Sequence, residues 1–255
     1  MHADPLQPAQ DAAEPDVPPS GPLPRISASR IILGVIIALW LVPELVGFVT
    51  GQPYAQLALL LGGKWNERIA DGEYYRLLTA ALLHTSLLHL GFNAYALYSL
   101  GQHIEDLLGA PRFVALYAIS ALGGSVASYL LNPAPAVGAS GAIFGIVGAL
   151  AIHAWQTRAL FGEGARQLLG SMLFIVLINL GLGMTTPSID NTGHLGGLVA
   201  GALGGLALLP RFRLAPGFPT PRLVRHSLPG AWLAAGLLAL GLLGMVLVLP
   251  PAVGG

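Results

Sequence analysis

The chain has 255 residues, 54% of them hydrophobic and only 9% charged, with a formal net charge of zero and no cysteine. Soluble domains carry about 25% charged residues, so this chain cannot clothe a soluble surface and reads as an all-α polytopic membrane protein. The charge balance offers no footing for nucleic acid. The lack of cysteine excludes disulfides, thiolate metal sites and a cysteine nucleophile.

Residues 1–30 form a separate region with seven prolines (Pro5, Pro8, Pro15, Pro18, Pro19, Pro22 and Pro24). With few large apolar side chains, it is expected to be a disordered cytoplasmic segment. It lacks the basic start and apolar core of a signal peptide, so the first membrane helix is expected to act as the targeting signal. Seven apolar runs follow, near Ile31–Val49, Ser86–Gln102, Phe113–Leu131, Ser140–Trp155, Leu168–Met184, His194–Leu209 and Ala231–Leu249. Crossing the hydrocarbon takes about 20 residues, with a range of roughly 17–25. The fourth run is short if its helix begins at Ser140, which a protein-buried feeding loop over 132–138 would permit.

The basic residues in the connections set the expected orientation. With the N-terminus inside, inner segments hold Arg25, Arg30, Arg112, Arg158, Arg166, Arg211, Arg213, Arg222 and Arg225, against Lys64, Arg68 and Arg76 outside. A cytoplasmic N-terminus follows, and seven spans leave residues 250–255 outside. The second, fourth and sixth helices then all start from the outer side. His84, His89, Asn93, Ser140 and His194 fall together at that side, although no motif search required it. The first outer loop, residues 51–85, is rich in aromatic and leucine side chains and is expected to lie partly in the interface.

Ionisable and polar groups inside spans are few, and such groups are usually functional or tightly paired. Ser140 lies in Gly138-Ala139-Ser140-Gly141-Ala142-Ile143-Phe144-Gly145 at a helix start. Free backbone N–H groups there suit an anion forming beside the hydroxyl. A serine needs an adjacent base to become a nucleophile, and His194 is the candidate. The plain alternatives are a serine N-cap and a buried histidine bonded to a neighbouring helix. Gly197, Gly201 and Gly205 recur every four residues, as do Gly141, Gly145 and Ala149 on the fourth run. Two such small-residue faces allow close backbone approach, which would bring Ser140 and His194 together. His89 and Asn93 share a helix face, and both can donate into an oxyanion hole alongside the Ser140 backbone N–H. A metal site using His84, His89 and His194 lacks a partnering carboxylate and ranks low. Asp190 sits four residues before His194 but in a loop, so a Ser–His dyad is favoured over a triad, with Phe144 placed to orient the imidazole by packing.

These motifs resemble those of the rhomboid intramembrane serine proteases. The resemblance runs through Gly72-Glu73-Tyr74-Tyr75-Arg76-Leu77-Leu78-Thr79, His84 to His89 and Asn93, then Gly101, Glu105, Gly109 and Arg112-Phe113. It continues through the Ser140 motif to His194, Gly197 and Gly201, and covers about residues 53 to 210. It implies a six-helix core over residues 31–210, a basic linker over 211–230 and a seventh helix over 231–249. It implies Ser140 as nucleophile and His194 as general base, then acid. His89, Asn93 and the Ser140 amide would bind the oxyanion, with His84, Gly138, Gly141, Phe144 and Gly197 in support. No metal or other cofactor is implied. The substrates would be transmembrane proteins, cleaved within the bilayer near the outer end of their helices. The expected location is the cell (inner) membrane, with the site opening outward. Two departures stand out: Tyr75-Arg76 where the family usually has Trp-Arg, and Gly193 where alanine often precedes the histidine. A catalytically silent relative that captures membrane clients is the alternative. A transporter would show repeat symmetry or paired charges within spans, and neither is evident.

Overall fold

The computed structural model describes residues 27–216 and 222–253. The proline-rich stretch of residues 1–26 and the extreme C-terminus lie outside the described residues. Helix α1 spans Ala28–Thr50, and a loop region carries α2 (Tyr54–Gly62), α3 (Asn66–Ala70), α4 (Arg76–Thr79) and a 3-10 turn (Ala80–Leu82). The long helices α5 (Leu87–Leu108), α6 (Ala110–Leu131), α7 (Ser140–Phe161), α8 (Glu163–Thr185) and α9 (Asn191–Leu208) follow. A hairpin of β1 (Arg211–Ala215) and β2 (Arg222–His226) leads to α10 (Ala231–Val248). Each predicted apolar run coincides with a helix, and several helices are longer than periodicity suggested. Five of them (α1, α6, α7, α8 and α10) are long and apolar enough to cross a membrane, and α5 joins them if it counts as one span with the α4 turn, bent by 93°. The chain is a multi-pass helical membrane protein.

Polar side chains mark where the helices start. Ser27 accepts from Arg30 N at 3.3 Å, Ser86 from His89 N at 3.2 Å, and Asp190 from Gly193 N at 3.1 Å. Each satisfies a backbone donor with no partner in the helix. Glu105 does the same across helices. Its buried carboxylate accepts from Ala28 N at 2.7 Å and Ser29 N at 2.8 Å, tying the start of α1 to the end of α5. Helix α7 begins at Ser140, as anticipated, but runs on to Phe161, so at 22 residues it is not short. It passes to α8 through Gly162 alone, whose φ of 51° a side chain would strain.

Helix α9 packs between α6 and α7. Its six glycines lower its apolarity, so composition alone does not select it as a span. The same glycines explain its place. A Cβ at Gly197 would lie 2.0 Å from Gly141 O, one at Gly201 would lie 2.2 Å from Gly145 Cα, and one at Gly205 would lie 3.0 Å from Ala149 Cα. Backbone therefore meets backbone along the whole α7–α9 contact. On the other side of α9, a Cβ at Gly123 would meet Ala200 Cβ at 2.2 Å, and one at Gly124 would meet Gly193 O at 2.9 Å. Helix α10 packs on α6 and α9, and Val246 joins a buried cluster with Ile69, Leu77, Leu122, Val126 and Tyr129. The seventh apolar run is thus packed against the rest, not merely appended to it.

Candidate active site

Ser140 is the first residue of α7, and His194 lies in the first turn of α9. The glycine contacts bring these two helix starts together. Ser140 and His194 line one cavity of about 40 Å³, shared with Lys64, Gly138, Gly141, Asp190 and Gly193. The His194 ring stacks on Phe144, with centroids 4.2 Å apart and planes 11° from parallel. Its Nδ1 is buried and has no hydrogen-bond partner among the described residues. Asp190 therefore does not orient the imidazole. Its Oδ1 instead accepts from Thr192 Oγ1 at 2.6 Å and from Gly193 N at 3.1 Å, capping α9. Burial pushes the Asp190 carboxyl upward, but neighbouring donors, including Thr192 and the Gly193 amide, outweigh it and hold the group below its usual value.

The remaining predicted residues gather around the loop before Ser140. Gly138 has φ of 135°, in the region that favours glycine, and a Cβ there would sit 2.7 Å from His89 Cε1 and Nε2. Bare backbone at 138 thus lets the His89 ring come up under the Ser140 turn. His84 is fully buried. Its Nε2 accepts from Ala139 N at 3.5 Å, and its ring meets that of His89 edge-on at 5.1 Å. Asn93 is buried one turn below His89, and its Nδ2 donates to His89 O at 3.0 Å. One of its two amide hydrogens is so engaged, and the second remains for another acceptor. Among the described residues, no group of three or more His, Asp or Glu side chains is arranged to hold a metal ion.

Two further residues build the site, and the sequence reading passed over both as residues of an interfacial loop. Lys64 is only 1% exposed, and its Nζ donates to the carbonyls of Asn132 at 2.5 Å and Ala134 at 2.9 Å. Its backbone forms an antiparallel bridge with Ala136, by Lys64 N to Ala136 O at 2.8 Å and Ala136 N to Lys64 O at 3.0 Å. Burial pushes the Lys64 ammonium down from 10.5 to about 8, against the opposing charges of Asp190 and Glu67. Asn66 Nδ2 donates to Tyr129 O at 3.1 Å and to Ala252 O at 2.8 Å, linking the end of α6 to the tail after α10. The loop into Ser140 is thus clamped from the side by a buried cation and a strand-like pairing. An unusually buried lysine has no signature in periodicity, which is why sequence alone does not single it out.

Arg76 organises the rest of the first loop. Its guanidinium donates to Glu73 Oε2 at 2.7 Å and to the carbonyls of Leu59 at 2.8 Å and Gly63 at 2.9 Å. Tyr75, 52% exposed, donates from its hydroxyl to the same Glu73 oxygen at 2.8 Å. Hydrogen bonds from Arg76 and Tyr75 hold the Glu73 carboxyl below its ordinary value. The tyrosine that departs from the usual Trp-Arg pair is therefore tied into the loop by a polar contact.

Comparison with known proteins shows the family. Residues 71–211 match the family model described as the rhomboid domain. The chain is 41% identical over 162 residues to "Rhomboid protease GluP" of Bacillus subtilis, an alignment covering 63% of this chain and 31% of that protein. It is 33% identical over 180 residues to "RHOMBOID-like protein 5" of Arabidopsis thaliana, covering 66% of this chain and 58% of that protein. With "Putative rhomboid protease YdcA" of Bacillus subtilis it shares 34% identity over 142 residues, covering 54% of this chain and 69% of that protein. The chain thus spans 31% and 58% of the lengths of the first two relatives. The matched region contains every residue gathered around the cavity except Lys64 and Asn66, and on that match the chain belongs to the rhomboid family.

Proposed function

We propose that this protein is an intramembrane serine endopeptidase working through a Ser140–His194 dyad. The observation that carries this reading is the single cavity lined by both residues, with His194 stacked on Phe144 and the Ser140 turn held by His84. In the proposed reaction, Ser140 Oγ attacks the scissile carbonyl carbon while His194 takes its proton. The carbonyl oxygen becomes an oxyanion, received by the Ser140 N–H and by the side chains of His89 and Asn93. His194 then returns the proton to the leaving amine as the C–N bond breaks, leaving an acyl-enzyme. A water, deprotonated by His194, releases the acyl group and restores Ser140. Helix α7 contributes the positive end of its dipole at its first residue, where the oxyanion forms. No cofactor is required by this scheme, and orientation of the imidazole falls to ring stacking instead of a carboxylate.

The substrates of this reading are transmembrane proteins, reached through the bilayer. The arginine distribution supports a cytoplasmic N-terminus, and on this reading the protein lies in the cell (inner) membrane with the cavity opening to the opposite side. The test is cleavage of a model transmembrane substrate in proteoliposomes, wild type against Ser140→Ala, with the product mapped by mass spectrometry. Cleavage by wild type alone, near the outer end of the substrate helix, is the expected result. Fluorophosphonate labelling that vanishes in Ser140→Ala checks the nucleophile without a substrate. Wild-type protein that neither cleaves nor labels would replace this reading with that of a client-binding relative.

A further inference from the structure

The segment between α9 and α10 takes no part in the proposed reaction. It is an antiparallel hairpin in which Arg211 pairs with His226, Arg213 with Val224, and Ala215 with Arg222, while Phe212 pairs with Arg225 and Leu214 with Leu223. Directly paired residues share a face of a two-stranded ribbon, and neighbours along a strand alternate. One face thus carries Arg211, Arg213, Arg222 and His226. The other carries Phe212, Leu214 and Leu223, together with Arg225 directly across from Phe212. Between Leu209 and Gly230 there are four arginines and no acidic residue.

The root of the hairpin is fixed. Arg211 Nη2 donates to Leu206 O at 3.3 Å, and Arg112 Nη1 donates to Ser227 Oγ at 2.7 Å. Phe212 meets the His153 ring of α7 edge-on at 5.7 Å, so the apolar face turns toward the membrane-spanning helices. The outer half of that face extends further, with Leu214 60% and Leu223 49% exposed. Arg213, Arg222 and Arg225 are exposed, and among the described residues none of them makes an ion pair. Only two residues separate α9 from β1 and four separate β2 from α10. Such short joints hold the hairpin close to the ends of α9 and α10.

We propose that this hairpin is an interfacial docking surface for anionic phospholipid headgroups in the leaflet at the C-terminal end of α9, with Leu214 and Leu223 set into the acyl boundary and Arg213, Arg222 and Arg225 on the phosphates. It rests on the membrane-spanning topology alone, and not on the proteolytic reading. An apolar face beside unpaired cations is the pattern that binds anionic interfaces. Each basic side chain near an anionic surface strengthens the attraction about fivefold. The competing occupant is the acidic stretch of this same chain bearing Asp4, Asp11, Glu14 and Asp16.

The chain has no cysteine, so Leu214→Cys can carry a polarity-sensitive dye in the full-length protein. Nanodiscs of phosphatidylcholine are compared with nanodiscs in which a third of the lipid is phosphatidylglycerol, each with acyl-chain spin-label quencher. Quenching at position 214 should rise with phosphatidylglycerol. It should return to the phosphatidylcholine level at about 1 M salt, where the Debye length is near 3 Å, and in R213Q/R222Q/R225Q. A dye on Leu247→Cys, at the far end of α10, should be quenched equally in all samples and reports that the variants are folded and inserted. Quenching at 214 that ignores phosphatidylglycerol or the arginines would overturn the proposal. So would a salt-sensitive signal that is independent of lipid charge and disappears when residues 1–26 are removed, since that assigns the surface to the acidic segment.

Discussion

Gly197→Ala tests whether close packing of α7 on α9 sets the geometry of the site. The added Cβ would lie 2.0 Å from Gly141 O, 2.6 Å from Gly141 C and 2.9 Å from Gly141 Cα. These are backbone atoms, so no side chain can rotate away. Restoring ordinary contact at 3.4 Å means a separation of about 1.4 Å, the difference between 3.4 and 2.0 Å. Gly141 follows Ser140 directly, and Gly197 is one turn after His194, so the separation falls on the proposed dyad itself. Overpacking of this kind costs about 1–3 kcal/mol of stability, and a misplacement of about 1 Å costs on the order of 10²-fold in rate. Gly201→Ala forces a similar clash, at 2.2 Å from Gly145 Cα, but one turn further away. It should destabilise comparably and slow turnover less. Gly170→Ala in α8 has nothing within 4 Å and serves as the control, neutral in both assays. The measurements are thermal unfolding in detergent and kcat/KM on a transmembrane substrate, with fluorophosphonate labelling as a second reporter. A Gly197→Ala protein with wild-type melting and wild-type turnover would refute the argument. Unchanged labelling combined with lowered stability would break the link between helix spacing and the site.

Lys64→Met should destabilise the protein by about 1–3 kcal/mol, because two loop carbonyls lose their donor. The loss should depend on pH. The folded-state value of Lys64 lies near 8, below the ordinary 10.5, so between those values the unfolded chain binds the extra proton. Wild-type stability should therefore rise relative to Lys64→Met as pH goes from about 8 to about 10.5; melting curves with the opposite slope would contradict the burial of this amine. Glu105→Ala should cost about 2 kcal/mol by freeing the two amides at the start of α1, with hydrogen exchange at Ala28 and Ser29 as the readout. Asn93→Ala should lower kcat by about 10²–10³-fold and leave KM nearly unchanged, since an oxyanion exists only after attack; a change in KM alone would remove Asn93 from that role. Turnover should fall with acid as His194 takes up a proton, and a rate that stays flat at every acid pH where the protein remains folded would exclude histidine as the base.

The membrane class, the positions of the long helices and the polar groups at the starts of α5, α7 and α9 were legible from the sequence, because each rests on local pattern. Apolar runs report spans whatever they pack against. Glycines every four residues in α7 and α9 report a smooth face, and this pairing does form. Tertiary structure decided what depends on partners distant in the chain. Lys64 and Asn132 are 68 residues apart, and Glu105 and Ala28 are 77 apart. No local spacing links such pairs, and a lone lysine or glutamate in a loop or at a helix end reads as solvated. Asp190 could have been read from the sequence as the cap of α9, yet that it serves this role and leaves His194 Nδ1 without a partner among the described residues required coordinates. The hairpin after α9 was not legible either, since two five-residue segments mixing arginine with apolar residues resemble a basic linker until their pairing is seen. Sequence by itself thus determined where the long apolar helices run, since the transfer energy of a run depends on its own side chains, with the glycine-rich α9 as the exception that its packing explains. Only the fold decided which buried charge meets which carbonyl, because that free energy depends on the partner, and the partner is set by packing.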